Sequence, residues 1–237
     1  MRDVLVLAID TATSRVSVAI GDRGVAIGEV SLAGGRRHAE QLAPAIRYLC
    51  DELDLSLDQL AAVAVDIGPG LFTGLRVGVT TAKVMAHALR VPVVGVPSLD
   101  LVAYPLRHSP RLVVSVLDAR RREVFWASYR PVPGGVQRVS DYEVRPPAEL
   151  VADLDAGTDE LLLAGDGVDV YRDEFASLDH AEFAGVEHAS PSASALVELA
   201  TARAEREEFQ LPDELHPFYL RTSDAEINWE HRSAVGA

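Results

Sequence analysis

This 237-residue sequence is short of several things. It has one cysteine, Cys50, so no internal disulfide can form, and Cys50 reads as part of a helix core rather than as a nucleophile. Only one of its 22 basic residues, Lys83, is a lysine. None of its seven histidines stands four residues from another, which removes the helical zinc pair. No apolar run approaches the roughly 18 residues of a membrane span, and "MRDVLVLAID" reaches an acidic residue too early for a signal-peptide core. The expectation is a cytoplasmic chain with no membrane partner. Basic residues are outnumbered by 36 acidic ones, giving a net charge of -14 and a pI near 4.8, so the field of the whole molecule repels a phosphate backbone.

What is present is ordinary globular composition, 48% hydrophobic and 24% charged, on a length that suits two domains of moderate size. "VLVLAIDTATSRVSVAIGDRGVAIGEVSL" reads as a strand ending at Asp10 and then a hairpin turning at "GDRG". In "HAEQLAPAIRYLCDEL" the residues Leu42, Ile46, Leu49 and Leu53 line one helix face, with Pro44 in an early turn or at a kink. "QLAAVAVDIGPG" is a buried strand ending in a turn, and "TGLRVGVTTAKVMAHALR" is a helix with a cap at Thr73. Strand and helix alternate, so the class is α/β with some parallel sheet.

The second half starts the pattern again. "SVLDARRREVFWASY" sets against "LAIDTATSRVSVAIG" without a gap, aligning Asp118 with Asp10, and "ELLLAGDGVDVYRDEF" echoes "LAAVAVDIGPGLFTGLR". A hairpin, a helix, a glycine-flanked strand end and another helix recur in that order, which predicts a duplicated α/β fold with halves 1–102 and 103–237. From Glu208 the polarity is mixed without a period, so the end is expected to be mobile, with a segment packing back on the first half.

Three features could carry function. Asp10, with Thr11 and Thr13, ends a strand where a carboxylate and hydroxyls could serve a nucleotide, or could only satisfy a turn; Ala12 sits where a phosphate-hugging turn favours glycine. Gly68, Pro69 and Gly70 form a close-approach turn before a helix, yet "GPGLFTG" fits neither the P-loop nor the dinucleotide fingerprint. Gly74, Gly78, Ala82 and Ala86 recur every four residues as a stripe of small side chains that something approaches closely, either an internal neighbour or another subunit. The arginine run of "DARRREV" is a solvated hairpin face or a contact for an acidic partner or RNA.

"AIDTATSRVSVAI", "RHAEQLAPAI", "DIGPGLFTGLRVGVTTAK", "VPVVGVPSLD" and "FYLRTSDAE" occur in the order of the TsaB (YeaZ-type) family, and the chain resembles that family over nearly its whole length. Leu71 departs mildly, standing where the family most often has serine. The resemblance implies the duplicated ribonuclease-H-like fold of the actin, sugar-kinase and heat-shock-chaperone superfamily. It also implies a noncatalytic dimerization subunit that pairs with a homologous catalytic subunit, TsaD, and with a small ATPase, TsaE, and that meets tRNA only through the complex, to make threonylcarbamoyladenosine. Where the paralogue has two metal-binding histidines in a "VNHLEAH"-like segment, Ser98 and Val102 stand here. On this basis the partner interface is expected at His38, Leu42, Gly74, Gly78, Ala82, Met85 and Ala86. A vestigial nucleotide or junction site is expected at Asp10, Thr11, Thr13, Gly68, Pro69 and Gly70. No cofactor is required by the lone chain, with ATP or ADP reserved for the junction of the complex. The competing readings are an independent ATPase or sugar kinase, a metallopeptidase, for which the ligands are missing, and a self-associating regulator that pairs as a homodimer.

Overall fold

In this computed structural model residues 5–33 and 37–221 are described. β1 (Leu5–Asp10) is buried along its whole length, because both of its faces are covered. Leu5, Leu7 and Ile9 enter a core with α1 (His38–Glu52) and α2 (Phe72–Leu89), while Val6 and Ala8 enter another with α7 (Ala193–Glu205). A strand covered on both faces reads as an unbroken apolar run, which is what "LVLAI" shows. β2 (Arg15–Asp22) and β3 (Val25–Ala33) follow antiparallel on one side of β1, and β4 (Leu60–Gly68) and β5 (Val93–Pro97) join parallel on the other, giving the order β3-β2-β1-β4-β5.

The second sheet repeats the first. β6 (Leu112–Arg120), β7 (Glu123–Val132) and β8 (Gly135–Arg138) are antiparallel neighbours, and β10 (Leu161–Ala164) and β11 (Ala181–Phe183) run parallel beyond β6, in the order β8-β7-β6-β10-β11. Strand for strand, the order and sense match the first sheet, as the internal repeat requires. A short β9 (Glu143–Arg145) pairs with β7. α4 (Pro147–Asp155), α5 (Asp166–Val170) and α6 (Arg172–Phe175) cover one face, and α3 (Ser98–Ala103) covers the other. Asp100 of α3 accepts the hydroxyls of Tyr129 (2.9 Å) and Tyr142 (2.7 Å), tying the link between the halves to the second sheet.

The halves exchange material. α7 lies on the first sheet, and the segment after it follows: Gln210 and Val93 bond through their backbones, Leu215 is buried, and the Phe218 N–H donates to the Ile67 carbonyl at 2.7 Å. This stretch had no period because it is held by backbone bonds and single apolar anchors rather than by an amphipathic face. Trp229 and the residues from 222 onward lie outside the described residues.

Two local expectations need correction. The α2 cap is Leu71 and not Thr73: Leu71 is extended and its N–H donates to the Ala12 carbonyl at 2.7 Å, so the helix begins at Phe72 and Thr73 already lies within it. The stripe of small residues faces inward. A Cβ on Gly74 would come 2.1 Å from the Thr11 carbonyl oxygen and one on Gly78 would come 2.3 Å from Thr11 Oγ1, while Ala82 and Ala86 are fully buried. The close neighbour that the glycines signal is the chain's own Asp10 turn.

Candidate functional site

The strand ends of the first half converge on one closed joint. Asp10 ends β1 and Asp66 lies near the end of the parallel neighbour β4, so the two carboxylates arrive side by side. Asp10 Oδ1 accepts the Ala12 N–H (2.8 Å), and Asp66 Oδ1 accepts the Gly68 N–H (2.8 Å) and the Ser98 hydroxyl (2.5 Å). Thr11 Oγ1 donates to the Gly74 carbonyl (2.8 Å), and His38 donates from Nε2 to the Thr13 carbonyl (2.8 Å). Asp10, Thr11 and Asp66 are fully buried. Burial, and after it the neighbouring Asp66 charge, holds the Asp10 carboxyl well above the usual range; burial pushes Asp66 up to about 6 against the hydrogen bonds that oppose it.

A phosphate does not fit this joint. Gly70 lies so close to the preceding turn that a Cβ there would sit 2.3 Å from the Ala12 carbonyl oxygen. The space in which Asp10, Thr11 and Thr13 could have met a phosphate is filled by the Gly68-Pro69-Gly70 turn, whose Gly68–Pro69 peptide is cis. Of the residues expected at a vestigial nucleotide or junction site, Asp10, Thr11 and Thr13 are buried in this packed joint, while Pro69 and Gly70 line the neighbouring cleft.

The second half builds the corresponding place openly. Asp166 Oδ1 accepts the Asp118 N–H (2.9 Å), while Asp118 accepts the Arg120 N–H (2.8 Å) and pairs with the Arg120 guanidinium (3.0 Å). Burial lifts Asp166 to about 6. Arg120, Arg121 and Arg122 all have positive φ, 62°, 56° and 61°. Non-glycine residues adopt that conformation only at some cost. A cleft of about 410 Å³ separates the two joints, walled by the Pro69–Thr73 turn, Asp118–Arg121 and the Phe218–Arg221 segment. Phe72 and Tyr219 stack at 5.2 Å on its rim, with the Arg76 guanidinium 3.9 Å from the Phe72 ring.

The outward faces of α1 and α2 form a different surface. A shallow groove of about 510 Å³ runs between them over Ala39, Ala43, Arg76, Val77, Thr80 and Thr81, floored by Leu42. Val84, 62% exposed, continues the α2 face one turn beyond Thr80. Of the residues expected at a partner interface, His38, Leu42, Gly74, Gly78, Ala82 and Ala86 are buried within the chain, and Met85 is half-buried against the same core. They hold α1 and α2 against the sheet; the side chains that present a surface include Ala39, Ala43, Arg76, Thr80 and Val84. The 3.6-residue period could have found them as the complement of the buried stripe.

Of the two positions where a catalytic relative is expected to carry histidines, Ser98 is bonded to Asp66 and Val102 is core. The pairing of Asp10 with Asp66 went unread in the sequence; its signal is the repeated separation of 56 residues here and 48 between Asp118 and Asp166.

Two sheets of the same strand order, each ending a central parallel pair on carboxylates across a cleft, define a duplicated actin-like α/β protein. An ethanolamine utilization protein EutJ from Carboxydothermus hydrogenoformans shares that fold, with a TM-score of 0.51 at 9% identity over 81% of this chain and 88% of its own. Residues 30–229 match the family TsaD: tRNA N6-adenosine threonylcarbamoyltransferase. The solved YeaZ from Pseudomonas aeruginosa is 31% identical with a TM-score of 0.79, covering 91% of this chain and 99% of that one. An uncharacterized protein of Mycobacterium tuberculosis is 39% identical over 93% of each chain. The tRNA threonylcarbamoyladenosine biosynthesis protein TsaB of Bacillus subtilis is 28% identical over 94% of this chain and 97% of its own. The chain belongs to the TsaB (YeaZ-type) family.

Proposed function

We propose that this chain acts in tRNA threonylcarbamoyladenosine biosynthesis as a noncatalytic pairing subunit. It docks a homologous TsaD-type catalytic subunit on the outward face of α1 and α2, and TsaE and tRNA are engaged through that pair. The observation that carries the reading is the α1–α2 groove. Beside Arg76, which also lines the groove, its exposed side chains Ala39, Ala43 and Thr80 are small and uncharged, and Val84 extends the face, on a chain of net charge -14. Small side chains on both helices let another helix pair approach closely. Family membership supplies the pathway, and Ser98 and Val102 support the absence of a metal centre of the paralogue's kind. Asp10 and Thr11 are fully buried, and any nucleotide used by the assembly is assigned to the junction of the subunits.

The test is size-exclusion with light scattering on Thr80→Arg and Ala43→Arg, each mixed with the same organism's TsaD-type subunit. The expected result is wild-type melting of the variant with loss of the heterodimer and of threonylcarbamoyl transfer to tRNA. A variant that still co-elutes with the partner removes this face from the interface. Homodimerization of the chain alone through the same face should disappear in the same variants.

A further inference from the structure

Independently of the partner reading, the closed joint of the first half carries an unbalanced pair of acids. Asp10 and Asp66 are both fully buried. Each has a satisfied Oδ1, and each has an Oδ2 that is buried without a donor. Yet β1 and β4 run parallel with Ile9 beside Val65, so the next residues, Asp10 and Asp66, stand side by side at the strand ends. Two ionised carboxylates could not occupy this arrangement, because each can only accept and their like charges repel in a dry site. One hydrogen atom resolves both defects at once.

Among the described residues, the charged groups that act most on the pair, besides the two carboxylates themselves, are Glu29 of β3 and Asp100 of α3, and both are acidic. Ser98 is neutral and already donates to Asp66 Oδ1, and His38 of α1 is spent on the Thr13 carbonyl. A divalent cation such as Mg²⁺ completes its about six oxygens largely with water, which this fully buried joint would have to admit, and among the described residues no group of three or more His, Cys, Asp or Glu side chains stands together to replace that water.

We propose that Asp10 and Asp66 share a single proton between their Oδ2 atoms, carried by Asp10 and donated to Asp66, and that it fastens the Asp10 turn to the Gly68-Pro69-Gly70 turn. Asp66 is the anion because its Oδ1 accepts two hydrogen bonds where that of Asp10 accepts one. An unfolded aspartate releases its proton near pH 4, so above that pH the folded chain holds one proton more than the unfolded chain. The folding constant then falls about tenfold for each pH unit until the pair ionises.

Infrared spectroscopy of the full chain at pH 8, with aspartate carboxyls isotopically labelled, tests this directly. The expected spectrum contains a protonated carboxyl band in the wild type and in Asp166→Asn, and lacks it in Asp10→Asn. A wild type without such a band overturns the proposal. In urea titrations between pH 5 and 8, Asp10→Asn, whose amide replaces the O–H donor, should lose about tenfold per pH unit of the wild-type dependence; an unchanged slope overturns it as well. If added Mg²⁺ abolishes the band and raises the urea midpoint, with chelator reversing both, a cation occupies the pair and the proton does not. Should Asp10→Asn fail to fold, the wild-type and Asp166→Asn spectra decide alone.

Discussion

Asp10 and Asp118 occupy equivalent places in two sheets of one topology, yet they live in opposite surroundings. In the first half, the turn after the strand is roofed by Gly70, and Asp10 meets a second buried carboxylate, with no arginine or lysine of the described residues paired to either. In the second half the turn is short, Arg120 pairs with Asp118, and the joint opens on the interdomain cleft. The strand order survived duplication, because it is fixed by which apolar faces must be covered. The chemistry at the strand ends did not, because a few turn residues decide whether a carboxylate is sealed in or compensated by an arginine. One half is thereby left as a rigid base for α2 and the other as a wetter, charged rim.

The largest expected effect is steric, and it separates the α2 joint of the first half from the β7–β8 hairpin of the second. Gly74→Val would drive its side chain into the Thr11 carbonyl, where even a Cβ comes to 2.1 Å, and should lower stability by about 3 kcal/mol in urea denaturation. Gly135→Ala in the second half, whose Cβ meets only the Tyr104 ring at 3.9 Å, should change stability little. Equal losses in the two variants would break the comparison.

The next effect is electrostatic. Asp166 is lifted by burial to about 6, above its unfolded value, so its folded form binds the proton more tightly. Its cost is absent below about pH 4, grows as pH rises toward 6 and is complete above that. Asn keeps the Oδ1 acceptor for the Asp118 N–H, so Asp166→Asn should leave stability unchanged at pH 4 and raise it at pH 8 by about 2 kcal/mol through relief of the buried charge. Thermal melts across that range measure it, and a gain that is flat with pH would show that the cost lies elsewhere.

The smallest effect belongs to the hairpin turn of the second sheet. Arg122 has φ 61°, a conformation that glycine adopts freely. Arg122→Gly should stabilise the chain by about 1 kcal/mol, since the ion pair it loses, to Glu174 at 3.9 Å, joins a largely exposed guanidinium and contributes little. A destabilised variant would mean that the arginine holds the turn through contacts worth more than its backbone strain.

Much of the architecture was legible. The apolar run of β1, the alternation of β2 and the Leu42, Ile46 and Leu49 face each report local burial, and the repeat of Asp10 and Asp118 reported the matching strand orders. The candidate site was legible only in part. Glycine spacing along α2 announces a close neighbour without naming it, and the neighbour is Thr11, 63 residues away. For the same reason, expectation put the partner on a stripe that this chain buries against its own Asp10 turn, while the exposed side chains of α2 lie on its far side. The Asp10–Asp66 pair depends on β1 and β4 being adjacent and parallel, which no local pattern encodes. The packing of 208–221 was hidden because backbone bonds leave no side-chain period.

The proposal that matters most for function is that the outward face of α1 and α2 receives the catalytic subunit. Its sharpest test is light-scattering size-exclusion of wild type and Thr80→Arg with that subunit, followed by threonylcarbamoyl transfer on tRNA. The expected result is a heterodimer and tRNA modification for the wild type, and neither for a Thr80→Arg chain that melts normally. A heterodimer retained by Thr80→Arg, or transfer by the TsaD-type subunit that is indifferent to this chain, would contradict it.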